Sequence, residues 1–170
     1  MADRFVSLLM GSDSDYPTVK PAMDVLDEFG IPYEVRVTSA HRAVDTTHHY
    51  VKDADSRGCQ VFIAAAGMAA HLAGSVAAVT TKPVIGVPID SGPLQGFDAL
   101  LSTAQMPEGV PVAAVSIGRT GSRNAGILSV QIMALSDEDL AAKLLEMREQ
   151  SKHAVLEKNS KLQSQLDANT

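Results

Sequence analysis

The sequence contains no tryptophan, only 4% aromatic residues and a single cysteine, Cys59. So few aromatic side chains argue against an all-β sandwich, whereas the many small and branched aliphatic residues suit a parallel sheet covered by helices. One cysteine can form neither an internal disulfide bond nor a multi-cysteine metal site, and it is typical of a reducing compartment. The metal-binding motif HExxH is missing too, so we expect no metal ion.

Long apolar runs and an excess of positive charge are also missing. No apolar run approaches the roughly 18–20 residues of a membrane span, and the first residues lack a basic stretch with a cleavage site. Lysine and arginine number 14 against 20 aspartates and glutamates, which gives a formal net charge of −6. Broad nucleic-acid binding requires clustered positive charge. We therefore expect a cytoplasmic protein that binds neither membranes nor nucleic acids.

Segments typical of strands and helices alternate along the chain. The predicted strands are Arg4–Met10, Ile31–Val37, Gln60–Ala66, Pro83–Pro88 and Val112–Ile117. Helical spacing of apolar residues predicts helices over Val19–Phe29, Ala43–Ser56, Ala69–Val79 and Asn124–Leu135, and Gly30 and Gly58 end the first two. Because the second strand alternates apolar and charged residues, we place it at a sheet edge. This order predicts a doubly wound α/β fold with strand order 2-1-3-4-5.

The composition changes after Leu135, so we divide the chain into an α/β domain (1–135) and a helical extension (136–170). The extension contains no glycine and has apolar residues at helical spacing, beginning with Leu140, Leu144 and Met147. A narrow apolar stripe beyond a completed domain suggests that Asp137–Lys158 packs on a neighbouring subunit. We expect about the last eight residues to be solvated and frayed.

Ligands of such sheets bind where strands end and helices begin. The first such turn contains Gly11, Ser12, Ser14 and Asp15. The glycine allows close approach of a ligand, and the hydroxyls with backbone amides can hold a phosphate. The carboxylate of Asp15 suits ribose hydroxyls. An alternative interpretation is that these residues only cap the following helix.

The second and third turns contain the candidate residues for chemistry. The second turn consists of Ser39, Ala40, His41 and Arg42. Its histidine can transfer protons, and the neighbouring arginine has a guanidinium that can bind a phosphate. Such a pair can equally be incidental.

The small residues of Gly67–Gly74 would let a flat ligand contact the backbone, with His71 as either a ligand contact or a structural hydrogen-bonding residue. Gly118–Gly121, after the fifth strand, resembles an anion-binding turn or a plain connection.

Six motifs follow one another along the chain in this order: GSDSD, SAHR, GMAAHLAG, PVIGVP, STAQMPEGVPVA and NAGIL. Through these motifs the chain resembles the PurE family over about Val6 to Leu135. The resemblance implies a flavodoxin-like fold and a homo-octamer whose active sites are shared between subunits. It implies an enzyme of purine biosynthesis that interconverts N5-carboxyaminoimidazole ribonucleotide and 4-carboxy-5-aminoimidazole ribonucleotide. The intermediate would be CO2, and no metal or organic cofactor would take part.

The resemblance also implies roles for individual residues. Ser12, Ser14 and Arg42 would bind the 5′-phosphate, Asp15 would bind the ribose, and His41 would transfer protons. The loop from Gly67 to Leu72, with Ala70 and His71, would enclose the imidazole and the departing CO2. Met68 and Ala73 stand where the common pattern has glycine and proline, whereas His71 is retained, as in the mutase branch.

Two other functions stay open at this point. One is direct carboxylation of aminoimidazole ribonucleotide with CO2. The other, from a different class, is a flavodoxin-like nucleotide-binding or signalling module. A phosphate-receiver module would need an aspartate after the third strand and a lysine after the fifth, where this sequence has Ala66-Gly67-Met68 and Gly118-Arg119.

Overall fold

The computed structural model describes residues 4–168. These residues divide between Ile132 and Met133 into two compact units. Within the described range, no helix is both long enough and apolar enough to cross a membrane.

The first unit is built on a five-stranded parallel sheet. Its strands are β1 (Phe5–Met10), β2 (Tyr33–Val37), β3 (Cys59–Gly67), β4 (Val84–Ile89) and β5 (Ala113–Ala114). They lie side by side in the order β2-β1-β3-β4-β5, and every neighbouring pair is parallel. All residues of β1 and β4 are buried, as apolar strands covered on both faces should be. The predicted fold and strand order are therefore confirmed.

Helices follow the strands in alternation. They are α1 (Tyr16–Phe29), α2 (Val44–Arg57), α3 (Leu72–Ala77), α4 (Phe97–Ala104), α5 (Gly118–Ala134) and α6 (Glu138–Asp167). Gly30 and Gly58 end α1 and α2 with φ angles of 71° and 110°, in the left-handed region predicted for them. A buried cluster of apolar residues from β1, α2, β3, α3 and β4 forms one side of the core.

Several elements differ from their prediction. The helix predicted over Ala69–Val79 is confined to Leu72–Ala77, and the fifth strand is only Ala113–Ala114. Helix α4 was not predicted, although Phe97, Leu100, Leu101 and Ala104 have the spacing of an amphipathic helix. Its buried residues are instead Ala99 and Thr103, and Phe97 is 67% exposed.

Helix α5 begins at Gly118 rather than at Asn124, so Gly118–Gly121 forms its first turn and is not a separate connecting loop. Helix α6 continues to Asp167, although fraying was expected over its last turns. Its N-terminus is capped by Asp137, whose side chain accepts a hydrogen bond from the Leu140 amide at 3.2 Å.

Gly121 allows the tight start of α5, and its replacement by alanine should strongly destabilise the protein. A Cβ atom at this position would lie 1.5 Å from the carbonyl oxygen of Ser116, which as backbone cannot rotate away. Overpacking of this kind costs about 1–3 kcal/mol or more. We expect Gly121→Ala to lower the free energy of unfolding in urea by at least that amount. The adjacent exposed Thr120→Ala is the control and should change it by less than about 0.5 kcal/mol. Equal stabilities of the two variants would contradict this packing.

Strand β2 occupies the sheet edge, as predicted, and polar contacts attach it to α2. Arg57 forms a bidentate ion pair with Glu34, with N–O distances of 2.5 and 2.9 Å. Tyr50 donates to the same carboxylate at 3.0 Å and lies 2.8 Å from the Ser7 hydroxyl on β1. The Arg57 guanidinium is the main reason that the pKa of Glu34 is lowered. These contacts fix the strand that leads into the His41 turn.

Candidate active site

A cavity of about 510 Å³ opens at the carboxyl ends of β1, β2 and β3. It brings together nearly all of the residues predicted from the three turns. The predicted residues that line it are Gly11, Ser12, Ser14, Asp15, Ser39, Ala40, His41, Arg42, Gly67, His71 and Leu72. Parallel strands bring their following turns to one edge of the sheet, which is why residues far apart in sequence meet here.

A few positions differ from the prediction. Ala70 does not line the cavity and is 98% buried, with only 2% of its surface exposed. Met68 and Ala69 lie within the predicted loop and do line it, together with Ala66 and Ser91. Sequence analysis did not select Ser91, although it directly follows Asp90 at the end of the fourth strand, where ligand-binding residues are expected.

The turn after β1 is held by its own side chains. Ser12 accepts a hydrogen bond from the Ser14 amide at 3.3 Å, and the Ser12 amide donates to Asp15 Oδ2 at 3.1 Å, which forms a capping box. The hydroxyl of Ser14 lies 2.8 Å from that of Ser12. Capping and ligand binding are compatible here because the capped turn still lines the cavity.

The carboxyl group of Asp15 is largely buried, with 9% of the residue exposed. Burial raises its pKa, and the nearby charge of Asp13 adds to that effect, whereas the hydrogen bond from the Ser12 amide opposes it. A buried carboxylate with one backbone partner has free acceptor capacity, which suits it to the hydroxyl groups of a sugar.

The turn after β2 projects His41 and Arg42 from a structured loop. The Ser39 hydroxyl accepts hydrogen bonds from the amides of Arg42 at 3.1 Å and of His41 at 3.4 Å. The amide of Ala43 donates to the Ser39 carbonyl oxygen at 3.0 Å. Both side chains are exposed to the cavity, and the Arg42 guanidinium forms no ion pair with residues 4–168.

The turn after β3 supplies a second imidazole and a close contact between loops. The rings of His41 and His71 lie with their centroids 5.5 Å apart and tilted by 40°. A Cβ atom on Gly67 would lie 1.8 Å from Ser91 Oγ and 3.1 Å from Ser91 Cβ, so the two loops are in close contact here and a larger residue would have to displace the Ser91 hydroxyl. Among residues 4–168, no cluster of three or more histidine, cysteine, aspartate or glutamate side chains is placed to hold a metal ion.

The fold and this cavity define the class of the protein: a flavodoxin-like α/β domain with a polar, ligand-sized pocket at the carboxyl edge of its sheet. Residues 5–154 match the family model described as AIR carboxylase. The chain belongs to this family, and the resemblance identified from its motifs is confirmed.

Similar proteins cover nearly the whole chain. The N5-carboxyaminoimidazole ribonucleotide mutase of Bacillus subtilis is 55% identical over 157 residues, which are 92% of this chain and 97% of that protein. The mutase of Thermotoga maritima is 49% identical over 93% of this chain and 91% of its own length. A chloroplastic phosphoribosylaminoimidazole carboxylase of Vigna aconitifolia is 44% identical over 93% of this chain, but only 28% of that protein.

Solved structures agree with these sequence comparisons. The crystal structure of PurE from Treponema denticola superposes with a TM-score of 0.84 at 29% sequence identity. The match covers 94% of this chain and 98% of that one.

Proposed function

We propose that this protein is a mutase that interconverts N5-carboxyaminoimidazole ribonucleotide and 4-carboxy-5-aminoimidazole ribonucleotide in purine biosynthesis. The observation that carries the proposal is that His41, Arg42, Asp15 and the loop after β3 line one shared cavity. The 55% identity with a mutase over almost the full length of both chains supports it. The free and buried thiol of Cys59 suits a reducing cytoplasm.

The reaction moves one carboxyl group within a molecule and needs two proton transfers. The bond from the exocyclic nitrogen to the carboxyl carbon breaks, and protonation of the nitrogen leaves CO2 and aminoimidazole ribonucleotide. Carbon 4 of the ring then forms a bond with CO2, and its proton goes to a base. We assign both transfers to His41, because an imidazole side chain can both give and take a proton.

We assign the remaining polar groups to the ribonucleotide. The hydroxyls of Ser12 and Ser14 and the guanidinium of Arg42 would bind the 5′-phosphate, which a planar guanidinium can hold with two hydrogen bonds. Asp15 would accept hydrogen bonds from the ribose.

The backbone and small side chains would shape the pocket around the imidazole and CO2 and exclude water. Gly11, Ser39, Ala40 and Gly67 provide these groups, and the larger side chains of His71 and Leu72 line the same cavity, whereas Ala70 is buried and does not line it.

The variant Arg42→Ala should mainly weaken ligand binding. Loss of a charge-assisted hydrogen bond to the phosphate costs roughly 1.5–3 kcal/mol, so we expect the dissociation constant for the nucleotide to rise about 10- to 150-fold. Calorimetry with the nucleotide and with the matching nucleoside separates the phosphate contribution. Arg123→Ala, which removes an exposed arginine paired with Glu28, is the charge-matched control.

The nucleoside should bind wild type and Arg42→Ala with equal affinity. If the variant loses as much affinity for the nucleoside as for the nucleotide, Arg42 does not bind the phosphate.

A second candidate activity is direct carboxylation of aminoimidazole ribonucleotide with CO2. The relative from Vigna aconitifolia is named as a carboxylase and is 44% identical, so similar proteins are named as mutases or as carboxylases. An assay that offers each substrate separately distinguishes the activities. We expect rapid product formation from N5-carboxyaminoimidazole ribonucleotide at low bicarbonate, and we expect aminoimidazole ribonucleotide to react only at high bicarbonate.

We also propose that the protein works as a homo-octamer in which neighbouring subunits complete each site, with Asp137–Lys158 packing between subunits. Helix α6 carries exposed apolar side chains that include Leu145 (70% exposed) and Val155 (65%). Apolar side chains are also exposed elsewhere, at Phe97 and Leu101 of α4 and at Val37 of β2. Contacts with symmetry-related copies would bury such surfaces.

A further inference from the structure

A hydrogen bond joins the two helices that follow the histidine-bearing turns of the cavity. The Nε2 atom of His48, on α2, lies 3.0 Å from the hydroxyl oxygen of Ser75, on α3. Ser75 is 8% exposed, and a buried hydroxyl without a partner is costly. Neither residue lines the cavity. What the bond does for the cavity therefore depends on the two helices that it connects.

Helix α2 is attached to the His41 turn on both sides of that turn. The hydroxyl of Thr47, which is fully buried, lies 2.6 Å from the hydroxyl of Thr38 and donates to the carbonyl oxygen of Ala43 at 2.9 Å. Thr38 precedes the turn and Ala43 follows it. Since His48 is the next residue after Thr47, these bonds fix its position relative to His41.

Helix α3 follows the other imidazole of the cavity. It has six residues, Leu72–Ala77, so its few internal hydrogen bonds give it little stability of its own. The Ser75 amide donates to the carbonyl oxygen of the N-cap residue, His71, at 2.9 Å. A Cβ atom built on Gly74 would lie 3.7 Å from His71 Cδ2, so the ring packs along the first turn of α3. A shift of α3 would therefore move the His71 ring.

The bond between His48 and Ser75 closes a circuit of contacts around the site. One half of the circuit runs from the His41 turn through α2 to His48, and the other runs from Ser75 through the first turn of α3 to His71. Where the two halves meet in the cavity, the ring centroids of His41 and His71 lie 5.5 Å apart. Loss of the bond would leave this separation to the apolar packing between the helices and to the sheet.

We infer that His48 is a positioning residue, whose hydrogen bond to Ser75 holds the His71 ring beside the ring of His41. This inference rests on the proposed mutase activity, in which His41 transfers the protons. Reaction rates depend steeply on the placement of the groups around the reacting atoms, and a misplacement of about 1 Å can cost roughly 10² in rate. A bond that only stabilised the fold would instead leave the rate of the folded enzyme unchanged.

Two replacements of His48 test this role by steady-state kinetics. His48→Ala removes the bond, and we expect kcat to fall about tenfold, a part of the loss that such a misplacement can cause. KM should stay within about twofold of wild type, because the groups assigned to the phosphate and the ribose lie on the turns after β1 and β2. His48→Gln keeps a side-chain nitrogen that can donate to Ser75 and should restore kcat to within about twofold of wild type. The control His49→Ala removes the neighbouring, exposed histidine of α2 and should leave kcat unchanged.

Ser75→Ala removes the same bond from the other side with a small change in volume. Its kcat should fall as in His48→Ala, and the double variant should fall no further, because both changes break one interaction. Two results would overturn the inference. One is a pair of losses that multiply in the double variant, and the other is a wild-type kcat in both single variants at a temperature where circular dichroism shows them folded.

Crystal structures of the wild type and the variants give a readout that does not depend on turnover. The centroid separation of His41 and His71 should change by about 1 Å in His48→Ala and stay near 5.5 Å in His49→Ala. An unchanged separation in His48→Ala would overturn the positioning role, even where kcat falls. A changed separation together with a wild-type protein that makes no product would instead leave the positioning in place and overturn the proposed function.

Discussion

Replacing His41 with asparagine should lower the rate of turnover by about 10²–10⁴, the usual cost of losing a general acid or base. Asparagine approximates the size and polarity of imidazole but cannot exchange a proton near neutral pH. Because the amides of the turn are held by the Ser39 hydroxyl and not by the imidazole, the loop should keep its conformation. Ligand affinity should accordingly stay within about tenfold of wild type, since the phosphate and ribose contacts are separate from the imidazole.

His49→Asn is the matched control for this variant. His49 is exposed on α2 and does not line the cavity, so its replacement should leave turnover unchanged. Steady-state kinetics gives the rates, and calorimetry gives the affinities. A His41→Asn protein with wild-type turnover would remove His41 from the mechanism, and His71, with its ring 5.5 Å away, would become the candidate for proton transfer.

Truncation after Leu135 should dissociate the proposed octamer and sharply lower activity. The truncation removes α6, which carries exposed Leu145, Val155 and Leu156 within the proposed contact segment Asp137–Lys158. Fully burying a side chain of this kind contributes roughly 1.5–3 kcal/mol, so several of them per subunit can support a stable assembly. If neighbouring subunits complete each site, the dissociated form should also lose turnover. Light scattering measures the mass, and the mutase assay measures the activity.

A shorter truncation separates the interface from the end of the helix. Removing only the last eight residues, after Leu162, should leave the octamer and its activity intact, because we place the subunit contacts within Asp137–Lys158. An octameric and active protein after truncation at Leu135 would show that the α/β unit makes the assembly alone. An active full-length monomer at micromolar concentration would contradict both the assembly and the shared site.

The sheet and its strand order could be predicted because the apolar patterns that indicate each strand are local in sequence. Strands β1, β3 and β4 are short apolar runs that stop at glycine or before a polar turn, and β2 alternates as an edge strand does. The glycines after α1 and α2 gave the C-terminal ends of these helices to within one residue, whereas α1 begins at Tyr16, three residues before its predicted start. The start of α5 escaped prediction because it depends on the close approach of Gly121 to the Ser116 backbone, which no apolar spacing indicates. Helix α4 was missed although its apolar residues have helical spacing.

The pocket was predictable for the same topological reason, since its polar residues follow parallel strands that end at one edge. Ser91 and the contact between Met68 and Gly92 were not predicted, because they depend on how two loops meet in space. No periodicity or spacing in the sequence indicates that these two loops are in contact. Similarly, the alternation in β2 predicts one apolar face, but Val35 and Val37 remain 37% and 56% exposed, which the sequence alone did not indicate.

The most direct test of the central claim is conversion of synthetic N5-carboxyaminoimidazole ribonucleotide by the purified protein. The reaction is followed by ultraviolet absorbance in buffer without ATP and with bicarbonate removed, and mass spectrometry identifies the product. The mutase assignment predicts stoichiometric formation of 4-carboxy-5-aminoimidazole ribonucleotide by wild type at a rate that is at least about 10²-fold above that of His41→Asn. Failure to convert this substrate, combined with carboxylation of aminoimidazole ribonucleotide when bicarbonate is supplied, would contradict it.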